Sequence, residues 1–142
     1  MAKILCIDDD QDILSSLTAT LESKGHKVET SVNAQDGLKK AEEIKPDLII
    51  LDVMMDKDTE GFHASYDIRK SDVLKYTPIL MLTSVNEKTG FTFNPEYDGE
   101  FLPVDKFVEK PFTPNTLIED VEKLLALPKE KINVSGKTQV MD

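Results

Sequence analysis

The sequence predicts an α/β fold built on a doubly wound parallel sheet. Short apolar runs alternate with segments of helical periodicity from the first residues onward, and the connections between them are short. Most of the apolar runs lack the alternation of a half-exposed strand, as expected for strands that are buried on both faces. Strands and helices that alternate in this way form a parallel sheet with helices on both of its faces.

The predicted strands are five short segments. They are Lys3–Ile7, Lys27–Val32, Asp47–Asp52, Pro78–Thr83 and Lys106–Glu109. The second alternates only weakly, whereas the first, third and fourth are almost wholly apolar until they reach a polar residue. A run of this length and composition is typical of an interior strand of a parallel sheet.

The predicted helices occupy the segments between these strands and the segment after the last one. They begin after Asp10, after Asn33, at Gly61 and after Thr113. Asp, Asn and Thr are good N-caps because their side-chain oxygens accept hydrogen bonds from the first free backbone N–H groups. The first helix carries an apolar stripe made by Ile13, Leu14, Leu17 and Leu21. The third is predicted to end near Ser71.

Two segments interrupt this alternation. Residues 86–105 contain two glycines and two prolines, show no helical stripe and hold four of the nine aromatic residues. We expect an irregular segment with at most a short helical turn, whose rings either pack inward or form a surface for a partner or a dimer. Residues 128–142 have no periodicity, which predicts one domain over 1–127 followed by a flexible tail.

Charge and composition exclude several classes of protein. The 142 residues include 27 acidic and 17 basic side chains, for a net charge of −10. This excess of acid disfavours binding to nucleic acid and to anionic membranes. No apolar run reaches the roughly 18 residues of a membrane helix, and the start turns acidic too soon for a signal peptide. With Cys6 as the lone cysteine, we expect a soluble cytoplasmic domain without an internal disulfide.

Polar side chains stand at the ends of four of the predicted strands. Asp8 and Asp9 follow the first strand, Asp52 ends the third, Thr83 ends the fourth, and Lys110 follows the fifth. Ligands of open parallel sheets bind beyond the carboxyl ends of the strands, so these side chains should converge. Clustered carboxylates repel one another unless a cation is present, and Mg²⁺ prefers oxygen ligands of this kind. The sequence therefore predicts a magnesium site.

These motifs, taken in order, resemble the receiver domains of two-component response regulators, the family of the bacterial chemotaxis response regulator. The resemblance covers about residues 2–127. It rests on the acidic pair Asp8-Asp9, the LDVMM motif around Asp52, Gly61-Phe62 with Ile68-Arg69, Thr83, and Lys110-Pro111. The fold that it implies is flavodoxin-like, with five parallel strands in the order 2-1-3-4-5.

The resemblance also implies roles for the residues at the strand ends. Asp52 would be the phosphoacceptor that attacks a phosphohistidine. Asp9, with Asp8 directly or through water, would hold Mg²⁺ together with Asp52 and the backbone carbonyl of Met54. Lys110 would pair with a phosphoryl oxygen. Asp10 is left out of the metal site because it is expected to cap the first helix.

Two further residues match the positions at which the family transmits phosphorylation. The Thr83 hydroxyl would bind another phosphoryl oxygen, and Phe107 stands where the family places its aromatic switch residue. Plain readings stay open for both, since Thr83 could simply end its strand and Phe107 could be an ordinary core residue. Phe107 also lacks the hydroxyl of the commoner tyrosine.

The function implied by the resemblance is that of a stand-alone response regulator. It would take its phosphoryl group from a sensor histidine kinase or a phosphotransfer protein and signal to an unknown output protein, as a monomer or a phosphorylation-dependent dimer. It would be no enzyme beyond its own phosphorylation and dephosphorylation. Two alternatives stay open: a degenerate receiver that binds partners without phosphorylation, and a magnesium-dependent phosphatase using the D-x-D spacing of Asp8 and Asp10.

The chain departs from the family pattern at two places. Asp56 replaces the usual proline, and Gly61 lies one residue farther from Asp52 than usual, in a loop that also holds Asp58 and Glu60. This extra acid could tighten magnesium binding or repel a phosphoryl donor. The second departure is the segment 86–105, which stands where the family has its fourth helix.

Overall fold

Five parallel strands form one sheet in the computed structural model of the chain, which describes residues 2–52, 67–83, 105–109 and 112–127. The strands are β1 (Lys3–Ile7), β2 (Lys27–Ser31), β3 (Leu48–Asp52), β4 (Ile79–Thr83) and β5 (Lys106–Glu109). Their order in the sheet is β2-β1-β3-β4-β5. The predicted fold class and strand order are therefore confirmed, and β1 and β3 occupy the interior of the sheet.

Three helices are described in full: α1 (Gln11–Glu22), α2 (Ala34–Ile44) and α3 (Pro114–Leu125). Each begins at a predicted cap. The side chain of Asp10 accepts from the backbone N–H groups of Asp12 and Ile13, that of Asn33 from Asp36, and that of Thr113 from Thr116. Of the predicted helix between Gly61 and Ser71, residues 67–70 are helical and residues 61–66 lie outside the described part of the chain.

The core has two layers, one on each face of the sheet. Neighbouring strand residues point to opposite layers: Leu5 and Ile7 pack with Ala41 of α2, whereas Ile4 and Cys6 pack with α1 and α3. All of the β3 side chains are buried. Burial on both faces is the physical reason why these strands read as continuous apolar runs.

Helix α2 approaches the sheet closely at Gly37. A β-carbon at this position would lie 2.5 Å from Cδ1 of Ile7, which is far inside van der Waals contact. Ile7 is the last residue of β1 and directly precedes Asp8. A glycine at this point therefore lets α2 pack against the end of the strand that leads into the acidic cluster.

Several strand bounds differ slightly from the predicted ones. The sequence predicts that Val32, Asp47 and Pro78 belong to strands, whereas each lies one residue outside a strand. Pro78 has no N–H group to donate to a ladder, and Val32 is 42% exposed. Most of the predicted irregular segment 86–105, residues 86–104, and the predicted tail 128–142 lie outside the described residues. Within the described part of the chain, no helix is long and apolar enough to cross a membrane.

Candidate metal centre

Three carboxylates meet at the carboxyl edge of the sheet. Asp8 and Asp9 follow β1, and Asp52 is the last residue of β3, the neighbouring strand. The pairing of Ile7 with Leu51 places Asp8 and Asp52 one step farther along the same ladder. One carboxylate oxygen from each of Asp8, Asp9 and Asp52 lies within 4.8 Å of the others.

The three side chains differ in their exposure to solvent. Asp8 is 1% exposed and Asp52 is 2% exposed, whereas Asp9 is exposed. The cluster thus combines two buried acids with one solvent-facing acid. Negative charge removed from water at this spacing is costly unless a cation or hydrogen-bond donors offset it. The arrangement suits a cation that is bound from the solvent side while keeping some of its water.

The backbone around Asp8 is held by its neighbours on both sides. The N–H of Asp8 donates to the carbonyl oxygen of Ser31, at the end of β2, over 3.0 Å. Oδ1 of Asp8 accepts from the N–H of Asp10 over 2.9 Å. These bonds tie the turn after β1 to the end of β2 and orient the Asp8 carboxylate before any ligand arrives.

Asp10 differs in its role from Asp8 and Asp9. Its Oδ1 accepts from the N–H of Asp12 over 2.9 Å and from the N–H of Ile13 over 3.4 Å. This is an N-cap, which satisfies backbone donors that have no partner inside the helix. The prediction that Asp10 caps the first helix is confirmed.

Asp52 lies between two strands rather than at the edge of the sheet. Its strand β3 is flanked by β1 and β4, and the residue is paired with Leu82 in the β4 ladder. The pairing of β3 with β4 fixes the backbone at Asp52, which keeps its carboxylate close to Asp8 and Asp9. Such a group suits the positioned nucleophile of a covalent transfer reaction.

The chemistry of the donor set matches a hard divalent cation. All three donors are carboxylate oxygens, which suit Mg²⁺, Ca²⁺ or Mn²⁺ better than softer metals. Mg²⁺ usually binds one or two carboxylates and keeps several waters, and the exposed position of Asp9 leaves room for them. The residues present therefore fit the predicted magnesium ion.

Four of the predicted site residues cannot be compared with the structure at the level of side chains. Thr83 ends β4 and Phe107 is the second residue of β5, where they pair with Glu109 and Met81. The side chains of Thr83 and Phe107, and all of Met54 and Lys110, lie outside the described part of the chain. Their roles stay predictions.

A buried ion pair at the amino end of β4, away from the carboxylate cluster, was missed by sequence reasoning. Arg69 and Asp105 lie 2.7 Å apart, with side chains that are 4% and 2% exposed. Burial lowers the pKa of the Arg69 guanidinium, and the nearby Asp105 carboxylate opposes this shift. In the sequence, Arg69 belongs to the Ile68-Arg69 motif and carries no other predicted role. No pattern of neighbouring residues indicates its burial, because its partners are two backbone carbonyls and an aspartate 36 residues away.

Comparison with protein families agrees with the fold and with this cluster. The profile of the response regulator receiver domain matches residues 4–122. The chain belongs to this family. It is a receiver domain of two-component signalling, and domains of this kind bind Mg²⁺ at an acidic site and interact with histidine kinases or phosphotransfer proteins.

Individual relatives of this receiver domain differ in length: some are about as long as the matched region, and others are about twice as long. Protein PilH of Pseudomonas aeruginosa is 29% identical over 126 residues, which cover 89% of this chain and 99% of PilH. The alkaline phosphatase synthesis transcriptional regulatory protein PhoP of Bacillus subtilis is 37% identical, but the chain spans only 48% of its length. Among solved structures, chemotaxis protein CheY4 of Vibrio cholerae has 34% identity and a TM-score of 0.76, covering 87% of this chain and 98% of that one.

Proposed function

We propose that this receiver accepts a phosphoryl group on Asp52 from a histidine kinase or a phosphotransfer protein, and that phosphorylation changes its contact with another protein. The observation that carries the proposal is the meeting of Asp8, Asp9 and Asp52 at one edge of the sheet, with oxygens within 4.8 Å. The family match adds the expectation that such a cluster serves phosphoryl transfer.

The metal would be held by Asp9, by Asp8 directly or through water, by Asp52 and by the backbone carbonyl of Met54. When bound, Mg²⁺ neutralises negative charge on the transferring phosphoryl group. The protein's contribution is to hold the carboxylates in place. The Asp8 carboxylate accepts from the N–H of Asp10, the backbone N–H of Asp8 donates to Ser31, and the pairing of β3 with β4 fixes the backbone at Asp52.

In the transfer step, a carboxylate oxygen of Asp52 attacks the phosphorus of a phosphohistidine. The new O–P bond forms as the P–N bond breaks, and the bonding electrons stay with the imidazole nitrogen. The ammonium group of Lys110 would balance charge on a phosphoryl oxygen. Because Asp52 is 2% exposed and Asp9 is exposed, the donor would approach from the side of Asp9, and the imidazole would leave in the direction opposite to Asp52.

Two neighbouring strands would carry the signal away from Asp52. Thr83 ends β4 and Phe107 lies in β5, and these strands are paired with each other. The Thr83 hydroxyl would move to donate to a phosphoryl oxygen, and Phe107 would change position in response. Such a step converts a local change of charge into a change of surface shape.

A single-domain mode of action is part of the proposal. The match to PilH over 99% of its length favours a receiver over residues 1–127 that acts by protein contact, with residues 128–142 as a tail. The alternative phosphatase reading needs the second aspartate of D-x-D as a proton donor. The carboxylate of Asp10 instead caps α1, which argues against that reading.

The test is to incubate the full chain with acetyl phosphate and MgCl₂ and to measure intact mass. Wild type should gain one phosphoryl group that is stable in acid and lost in base, and Asp52→Asn should gain none. Asp47→Asn is the matched control. Asp47 directly precedes the first residue of β3, and its carboxylate accepts from the N–H of Lys3 over 2.9 Å, a bond that asparagine can keep.

Two results would overturn the proposal. An adduct that persists in Asp52→Asn would place the phosphoryl group elsewhere. Absence of any adduct in wild type and in Asp47→Asn, with Mg²⁺ bound, would favour the degenerate receiver that binds partners without phosphorylation. The acidic residues Asp56, Asp58 and Glu60 would then be the first candidates for repelling the donor.

A further inference from the structure

The buried pair Arg69–Asp105 joins parts of the chain that are 36 residues apart. Nη2 of Arg69 donates to Oδ2 of Asp105 over 2.7 Å. Nη1 of Arg69 donates to the carbonyl oxygens of Lys75, over 3.2 Å, and of Thr77. One planar guanidinium therefore connects the helical residues 67–70, the turn before β4 and the residue before β5. Arginine suits such a role because its donors form a rigid fork.

Asp105 connects the same point to the start of β4. Its Oδ2 accepts from the N–H of Ile79 over 2.9 Å, and its own N–H donates to the carbonyl oxygen of Ile79 over 2.9 Å. Backbone and side chain of Asp105 thus both bind Ile79. The ladder that follows pairs Leu80 with Lys106 and continues to Thr83 with Glu109. The Asp105–Ile79 contact is therefore the first rung of the β4–β5 pairing.

The register of β5 is set by its ladder with β4, by the buried side chain of Val108 and by the contacts of Asp105 just before its first residue. The strand is four residues long, lies at the edge of the described sheet and pairs with β4 alone. A slip of one residue in such a strand moves its end by roughly 3.3 Å and turns its side chains to the opposite face. Lys110, which the proposed function assigns to the phosphoryl group, comes directly after this strand in the sequence.

We propose that Arg69 and Asp105 are a positioning pair that holds β5 in register with β4 and thereby sets the position of Lys110 relative to Asp52. This inference rests on the proposed function for its effect on phosphorylation, although not for its effect on β5. The pair touches none of Asp8, Asp9 and Asp52 through the bonds described above, so its loss should leave the metal ligands in place.

The first experiment measures amide hydrogen exchange of β5. Arg69→Met with Asp105→Ala removes every side-chain bond of the pair together with both of its charges. Arg69→Lys keeps the positive charge and loses the planar set of guanidinium donors. It is included because it is the variant that should disturb folding least. The matched control is Lys106→Met. It removes a more exposed ion pair of the same strand, in which Nζ of Lys106 lies 3.9 Å from Oδ1 of Asp120.

Exchange at residues 106–109 should become faster by about tenfold or more in the double variant and by less in Arg69→Lys, since local opening reports on the contacts that close a segment. Exchange in β1 and β3 should stay unchanged, and Lys106→Met should match wild type. Unchanged exchange at β5 in both Arg69 variants would overturn the positioning role.

The second experiment separates positioning from metal binding. Mg²⁺ affinity, measured by calorimetry, should stay within about twofold of wild type, while the rate of phosphorylation at saturating acetyl phosphate falls by about tenfold, since small displacements of a charged group are costly in a preorganised site. A rate equal to wild type, or a parallel loss of Mg²⁺ affinity, would overturn the link to Lys110. If wild type takes up no phosphoryl group, the proposed function fails, and the exchange data alone then decide whether the pair holds β5.

Discussion

Asp8 and Asp52 are both almost completely buried and stand at the carboxyl ends of neighbouring strands, where an oxygen of each lies within 4.8 Å of the other and of Asp9: Asp8 directly follows β1, and Asp52 is the last residue of β3. Their separation in sequence is large, and only the parallel pairing of β1 with β3 brings them together. Two buried carboxylates with oxygens within 4.8 Å of each other disfavour the folded state unless a cation or hydrogen-bond donors offset their charge. The arrangement is better explained by a cation that the folded state binds and the unfolded state does not.

Magnesium should therefore stabilise the protein. A ligand that binds only the folded state adds about 2.7 kcal/mol to the free energy of unfolding when its concentration is about 100 times Kd. Urea unfolding in MgCl₂ and in EDTA measures this increment. Asp9→Asn should lose most of it, whereas Asp12→Asn, which removes an acidic side chain from the first turn of α1, should keep it. An equal increment in both variants would place the ion elsewhere.

The cap at Asp10 offers a test that concerns both stability and function. Asp10→Ala removes the acceptor for the N–H groups of Asp12 and Ile13 and should lower the free energy of unfolding by about 1 kcal/mol. Asp10→Asn should lose little, because asparagine is an equally good cap. Phosphorylation by acetyl phosphate should survive in Asp10→Asn. If Asp10→Asn, unlike wild type, failed to release phosphate from acetyl phosphate, the result would favour the phosphatase alternative.

Helix α2 should not tolerate a larger residue at Gly37. Alanine normally stabilises a helix relative to glycine by about 1 kcal/mol. Here its β-carbon would lie 2.5 Å from Cδ1 and 2.8 Å from Cγ1 of Ile7, so Gly37→Ala should instead destabilise the protein by about 1–3 kcal/mol. Adding Ile7→Val removes the Cδ1 atom and should recover part of the loss. Urea unfolding of the single and double variants would show it, and a stabilised Gly37→Ala would contradict the close approach.

Much of the fold could be predicted because local signals and burial agree along this chain. The caps at Asp10, Asn33 and Thr113 satisfy backbone donors within a few residues, so a sequence window contains the whole interaction. The carboxylate cluster could be predicted for a different reason. In a parallel sheet the carboxyl ends of all strands lie at the same edge, so the topology alone brings Asp8 and Asp52 close together.

The pair Arg69–Asp105 lay beyond this kind of reasoning. Several of its bonds are made with backbone atoms of Lys75, Thr77 and Ile79. Every residue has these backbone groups, so the amino-acid types at these positions do not indicate the bonds. A charged residue on a helix is also usually exposed, so nothing in a sequence window marks Arg69 as buried. The close approach of Gly37 to Ile7 was missed likewise, because it depends on how deeply α2 packs against β1.

The buried thiol of Cys6 predicts a specific loss of stability in alkaline solution. Burial, with a smaller contribution from the nearby Asp8 carboxylate, raises the pKa of Cys6 above its ordinary value. The unfolded chain releases this proton near pH 8.5 and the folded protein does not, so stability declines by about 1.4 kcal/mol per pH unit above that point. Its contribution is complete below the pKa of the unfolded state. Cys6→Ala lacks the group, so its free energy of unfolding should approach that of wild type between pH 8 and pH 10. A constant difference across that range would mean that the folded protein also ionises Cys6.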